Sequence, residues 1–275
     1  MLTETFSSIS IAARRVFGNW PALLMVAIVY IALLVTLYSF VAVREASIAQ
    51  VTMTFVLAAV APILFFLLQA MIAGGFAGPG SAASAGGLAK KSLSDFWKLI
   101  VITLPLIALG ILVVYLLAKY QSHLASIPDT TQLHPIPARG HTAPRPPINW
   151  KGAAVSTVRY LALGLFLPLA AIHLWVATAR DGLLNALKRI GAVLGRAFSP
   201  QSVLIYLVGF LIFAVVPYFL LFRTTPNKHA WLELSLLSVR LAVVFGLTLI
   251  GWLITVKAIS LLQSNQIKPV TNEAA

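Results

Sequence analysis

The chain has 275 residues, 60% of them apolar and only 10% charged, against about half and about a quarter in an ordinary soluble domain. That balance excludes a water-soluble globule, and the absence of cysteine excludes disulfides, thiolate metal sites and a cysteine nucleophile. Twenty Lys and Arg against seven Asp and Glu leave a formal charge of +13.

Crossing about 30 Å of hydrocarbon at about 1.5 Å per residue takes about 20 mostly apolar residues. Six segments reach that length: 20–43, 51–74, 97–118, 156–178, 203–222 and 236–262. The expected fold is all-α, a single integral membrane domain over 1–275 built as a polytopic bundle of six transmembrane helices with interfacial amphipathic helices. The first run is too long for a signal-peptide core, and no small-residue cleavage site precedes Arg44 and Glu45. It is expected to remain as a signal anchor.

Ahead of the first span, Phe6, Ile9, Ala13, Val16 and Phe17 share a helical face, with Glu4, Arg14 and Arg15 off it and Ile11 departing from the pattern. Residues 181–198 repeat the arrangement more strongly. Leu183, Leu184, Leu187, Ile190, Val193, Leu194, Ala197 and Phe198 fall on one half of a helical wheel, Lys188, Arg189 and Arg196 on the other, with Asp181 as the expected N-cap. Such a helix is expected to lie in the interface, its cations facing anionic headgroups at about 1 kcal/mol each. A cytoplasmic helix packed on the bundle is the alternative. Arg14, Arg15, Lys188, Arg189 and Arg196 are thus the candidate contacts to anionic lipid. A third lead-in, SLSDFWKLIV from Ser92, places Ser92 and Asp95 as a capping box. The chain then reads as three units, each a lead-in followed by a two-span hairpin.

Loop cations set the orientation. One side carries Arg14, Arg15, Lys90, Lys91, Lys98, Arg180, Lys188, Arg189, Arg196, Lys257 and Lys268, whereas the short loops opposite carry Arg44, Arg223, Lys228 and Arg240. The long 119–155 loop adds Lys119, Arg139, Arg145 and Lys151. The positive-inside rule therefore puts both termini in the cytoplasm, and the expected location is the inner (plasma) membrane. Trp20, Trp97 and Trp175 are expected at the inner boundary, and Tyr38, Tyr115, Tyr120, Trp150, Tyr160, Tyr218 and Trp231 at the outer one. Two cation pairs, Arg240 with Lys257 and Arg159 with Arg180, are expected to bracket spans by snorkelling.

Three stretches at the junctions, AARRVFGNWPALL, AGGFAGPGSAASAGGLAKKSLSDFW and LLNALKRIGAVLGRAF, give the chain a resemblance to a family. In this order of parts it is similar to the six-span membrane domains that occur alone in many bacterial proteins of unknown function, and fused to some glycerophosphoryl diester phosphodiesterases. The resemblance covers about a third of the chain and implies architecture; no hydrolytic residue is carried over by these stretches.

The 119–155 loop holds Pro128, Pro135, Pro137, Pro144, Pro146 and Pro147, with His123, His134 and His141 among them. An extended spacer is expected there, without the fixed geometry a metal site needs. Residues 75–89, rich in Gly, Ala and Ser, read as a pliable link. Pro62, Pro105, Pro168 and Pro217 predict kinks inside four spans. Ala70 with Gly74, and Gly246 with Gly251, are candidates for close helix contact.

All seven carboxylates lie outside the spans or at their edges. That arrangement supplies neither paired general acid–base groups nor a midplane site for a proton- or sodium-coupled carrier. His173 is the titratable group at depth and marks a possible buried polar site. HExxH, GxSxG and the phosphate and dinucleotide loops are missing from suitable contexts, and charge spread over membrane flanks argues against nucleic acid. The expectation is a non-enzymatic protein with neither cofactor nor metal, a lipid-contacting scaffold or accessory subunit. Its expected partners are membrane lipids with anionic headgroups and a membrane protein. The alternative is a small-solute or lipid transporter with a path between the Pro-kinked helices.

Overall fold

The structure, a computed structural model, describes residues 2–43, 47–76, 85–125, 150–223 and 230–265. The described residues form helices: α1 (Leu2–Phe17), α2 (Trp20–Ala42), α3 (Ile48–Met71), α4 (Ala85–Ala125), α5 (Trp150–Leu161), α6 (Leu167–Asp181), α7 (Leu183–Lys188), α8 (Ile190–Ala197), α9 (Pro200–Phe210), α10 (Val216–Phe222) and α11 (Ala230–Asn265). Wider π-helical turns follow α3 at Ile72–Phe76, α5 at Ala162–Phe166 and α9 at Leu211–Val215. Six helical stretches are long and apolar enough to cross a membrane: Trp20–Ala42, Ile48–Phe76, Gly86–Ser122, Trp150–Asp181, Pro200–Phe222 and Trp231–Ser264. The protein is therefore an all-α, polytopic membrane protein, as composition predicts.

Water could not support these helices. The Ile48–Phe76 stretch combines a mean hydropathy of 2.5 with only 6% of its most apolar window buried. So much outward apolar surface exceeds what soluble monomers tolerate. Trp20, Trp97, Tyr38 and Trp231 also point outward, as headgroup-level aromatics do. Trp175 does not. It is buried, and its indole Nε1 donates to Thr103 Oγ1 at 2.8 Å, so the expectation that it lines the membrane boundary is corrected.

Local chemistry starts the spans. Asn19 Oδ1 accepts from Ala22 N at 3.4 Å, with Pro21 in the first turn. Ser47 Oγ accepts from Gln50 N at 3.3 Å, and Ser199 Oγ accepts from Ser202 N at 3.4 Å ahead of Pro200. The capping box at Ser92 and Asp95 does not form. Helix α4 already runs from Ala85, Ser92 Oγ donates to Leu88 O at 2.7 Å, and Asp95 pairs with Lys98 at 2.7 Å. Residues 85–89 are thus helical and not part of a link.

Two of the four prolines produce a defined distortion. Pro168 and Pro217 each follow a π turn by two residues, and the N–H groups of Leu167 and Val216 reach back five residues, to Ala162 O and Leu211 O. A proline offers no N–H to the carbonyl four residues before it, and a wider turn rearranges the bonds so that backbone groups stay partnered inside the helix. Pro62 and Pro105 lie within α3 and α4 without such a turn.

The described chain divides into two compact units, Met1–Thr103 with Leu169–Ala275, and Leu104–Pro168. In the smaller unit, α5 continues directly into the Ala162–Phe166 turn. In the larger, α11 is the central helix, flanked by α1, α9, α10 and two of the π turns. Polar pairs pin its register: Trp252 Nε1 donates to Gln69 Oε1 at 3.0 Å, and Gln263 meets His173 at 2.7 Å. Close approach falls at Gly251, where an added Cβ would stand 2.9 Å from Phe213 Cβ, and at Gly209, which faces Thr255. Gly246 faces open space, so its proposed contact role is corrected. Lys257 is only 4% exposed and does not snorkel outward as expected, whereas Arg240 turns at its end of α11 to donate to Arg223 O.

An added methyl at Gly209 would overlap the Thr255 hydroxyl and methyl. Gly209→Ala should therefore cost about 1–3 kcal/mol by overpacking, read as a lower melting temperature in detergent. Thr255→Ala in the same chain should recover part of the loss; equal melting of the single variant and the parent would remove this contact from the packing account.

Candidate functional site: a basic cavity at one end of the larger unit

Helix α6 is the buried heart of the larger unit, with every residue from Leu169 to Thr178 buried. At its end Arg180 grips Asp181, Nε to Oδ1 at 2.9 Å and Nη2 to Oδ2 at 3.0 Å. Gly182 then adopts φ +82°, a left-handed backbone that glycine accepts without a Cβ penalty. The chain turns there into α7. Asp181 is consequently not the N-cap of the following helix. It ends α6, its carbonyl accepts from Asn185 Nδ2 at 3.0 Å, and Gly182 occupies the capping position.

The predicted single helix over 181–198 is two helices, broken at Arg189 (φ −108°, ψ 19°). The break changes which faces look where. Ala186, Val193 and Ala197 are buried, whereas Leu184 is 72% exposed and Leu187, Ile190 and Phe198 also point outward. Asn185, Arg189 and Arg196, all exposed, line an open cavity of about 490 Å³ whose walls also include Arg180 and Asp181 of α6 and Gln263 and Ser264 of α11. Arg189 and Arg196, expected to face headgroups, therefore stand beside the cavity, and Lys188 alone of that trio does not line it.

Three guanidinium groups and one carboxylate line this space; three positive charges less one negative leave a formal +2. Arg180 sits in the last turn of α6, where a cation also offsets the exposed carbonyls of the helix end. Among the described residues, neither the Arg189 nor the Arg196 guanidinium makes a side-chain hydrogen bond or close ion pair, although both lie within electrostatic reach of the Asp181 carboxylate.

Below the cavity lies His173, 1% exposed. Gln263 Nε2 stands 2.7 Å from His173 Nδ1 and 3.5 Å from the His173 carbonyl. With the amide donating, the ring proton sits on Nε2. Three buried atoms of α6 and α11 then lack hydrogen-bond partners among the described residues: His173 Nε2, Gln263 Oε1 and Thr178 Oγ1. His173, the titratable group expected at depth, is thus buried beside Gln263, which also lines the cavity.

The structure sorts the five candidate lipid contacts into two sets. Arg189 and Arg196 join the cavity. Arg14 and Arg15, exposed in the last turn of α1, and Lys188 lie outside it. On α1 the buried stripe is Thr5, Ala12 and Val16, with Phe6, Ile11 and Phe17 outward, so the face that packs is offset from the most apolar one. Sequence reasoning missed Arg180, read as a span marker, and Gln263 and Asn185, which carried no local signal. His134, His141 and Lys268 lie outside the described residues.

No family model, curated protein or solved structure matches the chain.

Replacing Gln263 by Leu leaves His173 Nδ1 without its partner inside the protein. A loss of about 1–3 kcal/mol is expected for the orphaned group, measured by thermal unfolding in detergent. Undiminished stability would exclude the Gln263–His173 contact as a structural tie.

Proposed function

We propose that this protein is a non-enzymatic, lipid-contacting scaffold or accessory subunit of the bacterial inner membrane, with both termini cytoplasmic. One observation carries the reading: on α1 and on the α7–α8 pair, exposed cations stand next to outward apolar side chains. Arg14 and Arg15 accompany Phe6, Ile11 and Phe17, and Lys188 accompanies Leu184, Leu187 and Ile190. Apolar side chains that enter the acyl boundary beside cations that meet headgroups describe an interfacial helix. The bias of Lys and Arg toward that end supports a cytoplasmic assignment for it, and the likeness of the junction stretches to bacterial six-span domains agrees with the same architecture.

Each cation near an anionic surface is worth about 1 kcal/mol. Changing Arg14, Arg15 and Lys188 together to Gln should therefore weaken retention of phosphatidylglycerol by on the order of a hundredfold, measured by extracting lipid from the purified protein. Unaltered retention would contradict the proposal, as would substrate-dependent flux in proteoliposomes, which would favour a transporter.

A further inference from the structure

We infer that the cavity between α6, α7, α8 and α11 binds a phosphomonoester group. The inference deepens the lipid-contact reading, on which it rests for the membrane as the ligand's source.

Charge is the first ground. The lining carries a formal +2 from Arg180, Arg189 and Arg196 less Asp181, and a phosphomonoester carries about −1.5 to −2 at neutral pH. A phosphodiester carries a single negative charge and leaves the excess uncompensated. Geometry is the second. Arg189, at the α7–α8 break, and Arg196, in the last turn of α8, line one space, and neither guanidinium makes a hydrogen bond or close ion pair with a described residue. Two planar forks converging on one volume suit the bidentate hydrogen bonding that phosphate oxygens accept.

Size is the third ground. The volume of about 490 Å³ exceeds what a bare phosphate fills and accommodates a headgroup with part of its glycerol.

The same chemistry is offered by phosphatidate in the membrane or by a soluble phosphomonoester, and the test separates the two. The full chain is placed in phosphatidylcholine nanodiscs containing either phosphatidate or phosphatidylglycerol, and retained lipid is counted by native mass spectrometry. Glycerol 3-phosphate and inorganic phosphate are added to the detergent-solubilised chain in a melting experiment. Phosphatidate should be retained about tenfold or more over phosphatidylglycerol, as one or two charge-assisted bonds require. The preference should vanish in R189Q/R196Q and shrink in R189K/R196K, which keeps the charge and loses the forks. K188Q should lower retention of both lipids alike. Equal retention of the two lipids together with stabilisation by glycerol 3-phosphate that is lost in R189Q/R196Q upholds the phosphomonoester chemistry with a soluble source. Equal retention of the two lipids without that stabilisation, or a preference that survives R189Q/R196Q, overturns this inference and leaves the lipid-contact proposal standing. Retention of neither lipid, again without that stabilisation, overturns both.

Discussion

Hydrocarbon offers no hydrogen-bond partners, so every backbone N–H and C=O that crosses it must be bonded within its own helix. The rest of this structure follows from that constraint. It explains why the long apolar runs are helical, and why Pro168 and Pro217 are met by π turns in place of broken helices. It also explains why side chains in the spans turn hydroxyls back on their own backbone, as Thr36 does to Ala32 O and Thr103 does to Leu99 O. Apolar burial cannot hold such helices together, because lipid tails are as apolar as leucine. Shape and a few polar ties must do it. Gly209 and Gly251 let helices close on α11, while Gln69–Trp252, Thr103–Trp175 and His173–Gln263 fix register between helices.

Polarity is concentrated at one end of the larger unit. Arg180, Asp181, Gln263 and Ser264 cap the ends of α6 and α11, and α7 and α8 fold over them to bring in Arg189 and Arg196. Gly182 makes this possible by reversing the chain directly after a buried helix. The result is a basic helix pair with two different faces, one set of cations around an open cavity beside α6 and α11 and another outside it beside exposed leucines and isoleucine. An ordinary interfacial helix has a single polar face; the division of cations between two environments distinguishes this one.

Much of the architecture was legible because hydropathy and length decide whether a segment can span. All six spans stand where composition places them, but most extend further, since polar flanks remain helical beyond the hydrocarbon. Ser92 and Asp95 illustrate the point: their capping signal lies inside a helix that has already begun at Ala85. The depth of His173 was readable from its apolar neighbours. Its partner Gln263, ninety residues later, was not, because no local pattern encodes a contact between distant helices. Likewise, a helical wheel assumes one straight helix, so it places Arg189 and Arg196 together on an outer face and overlooks Arg180. The turn at Gly182 and the break at Arg189 bring the three together.

The lack of native cysteine makes each introduced thiol the sole target of a membrane-impermeant maleimide. The exposed positions Ser7, Asn185 and Ser264 belong to the basic end, and Trp231 begins α11 at the other. In sealed right-side-out and inverted vesicles, single-cysteine variants at Ser7, Asn185 and Ser264 should all label from one side and the variant at Trp231 from the opposite side. Labelling of Ser7→Cys and Ser264→Cys from different sides would contradict six crossings and, with them, the shared basic face on which the account rests.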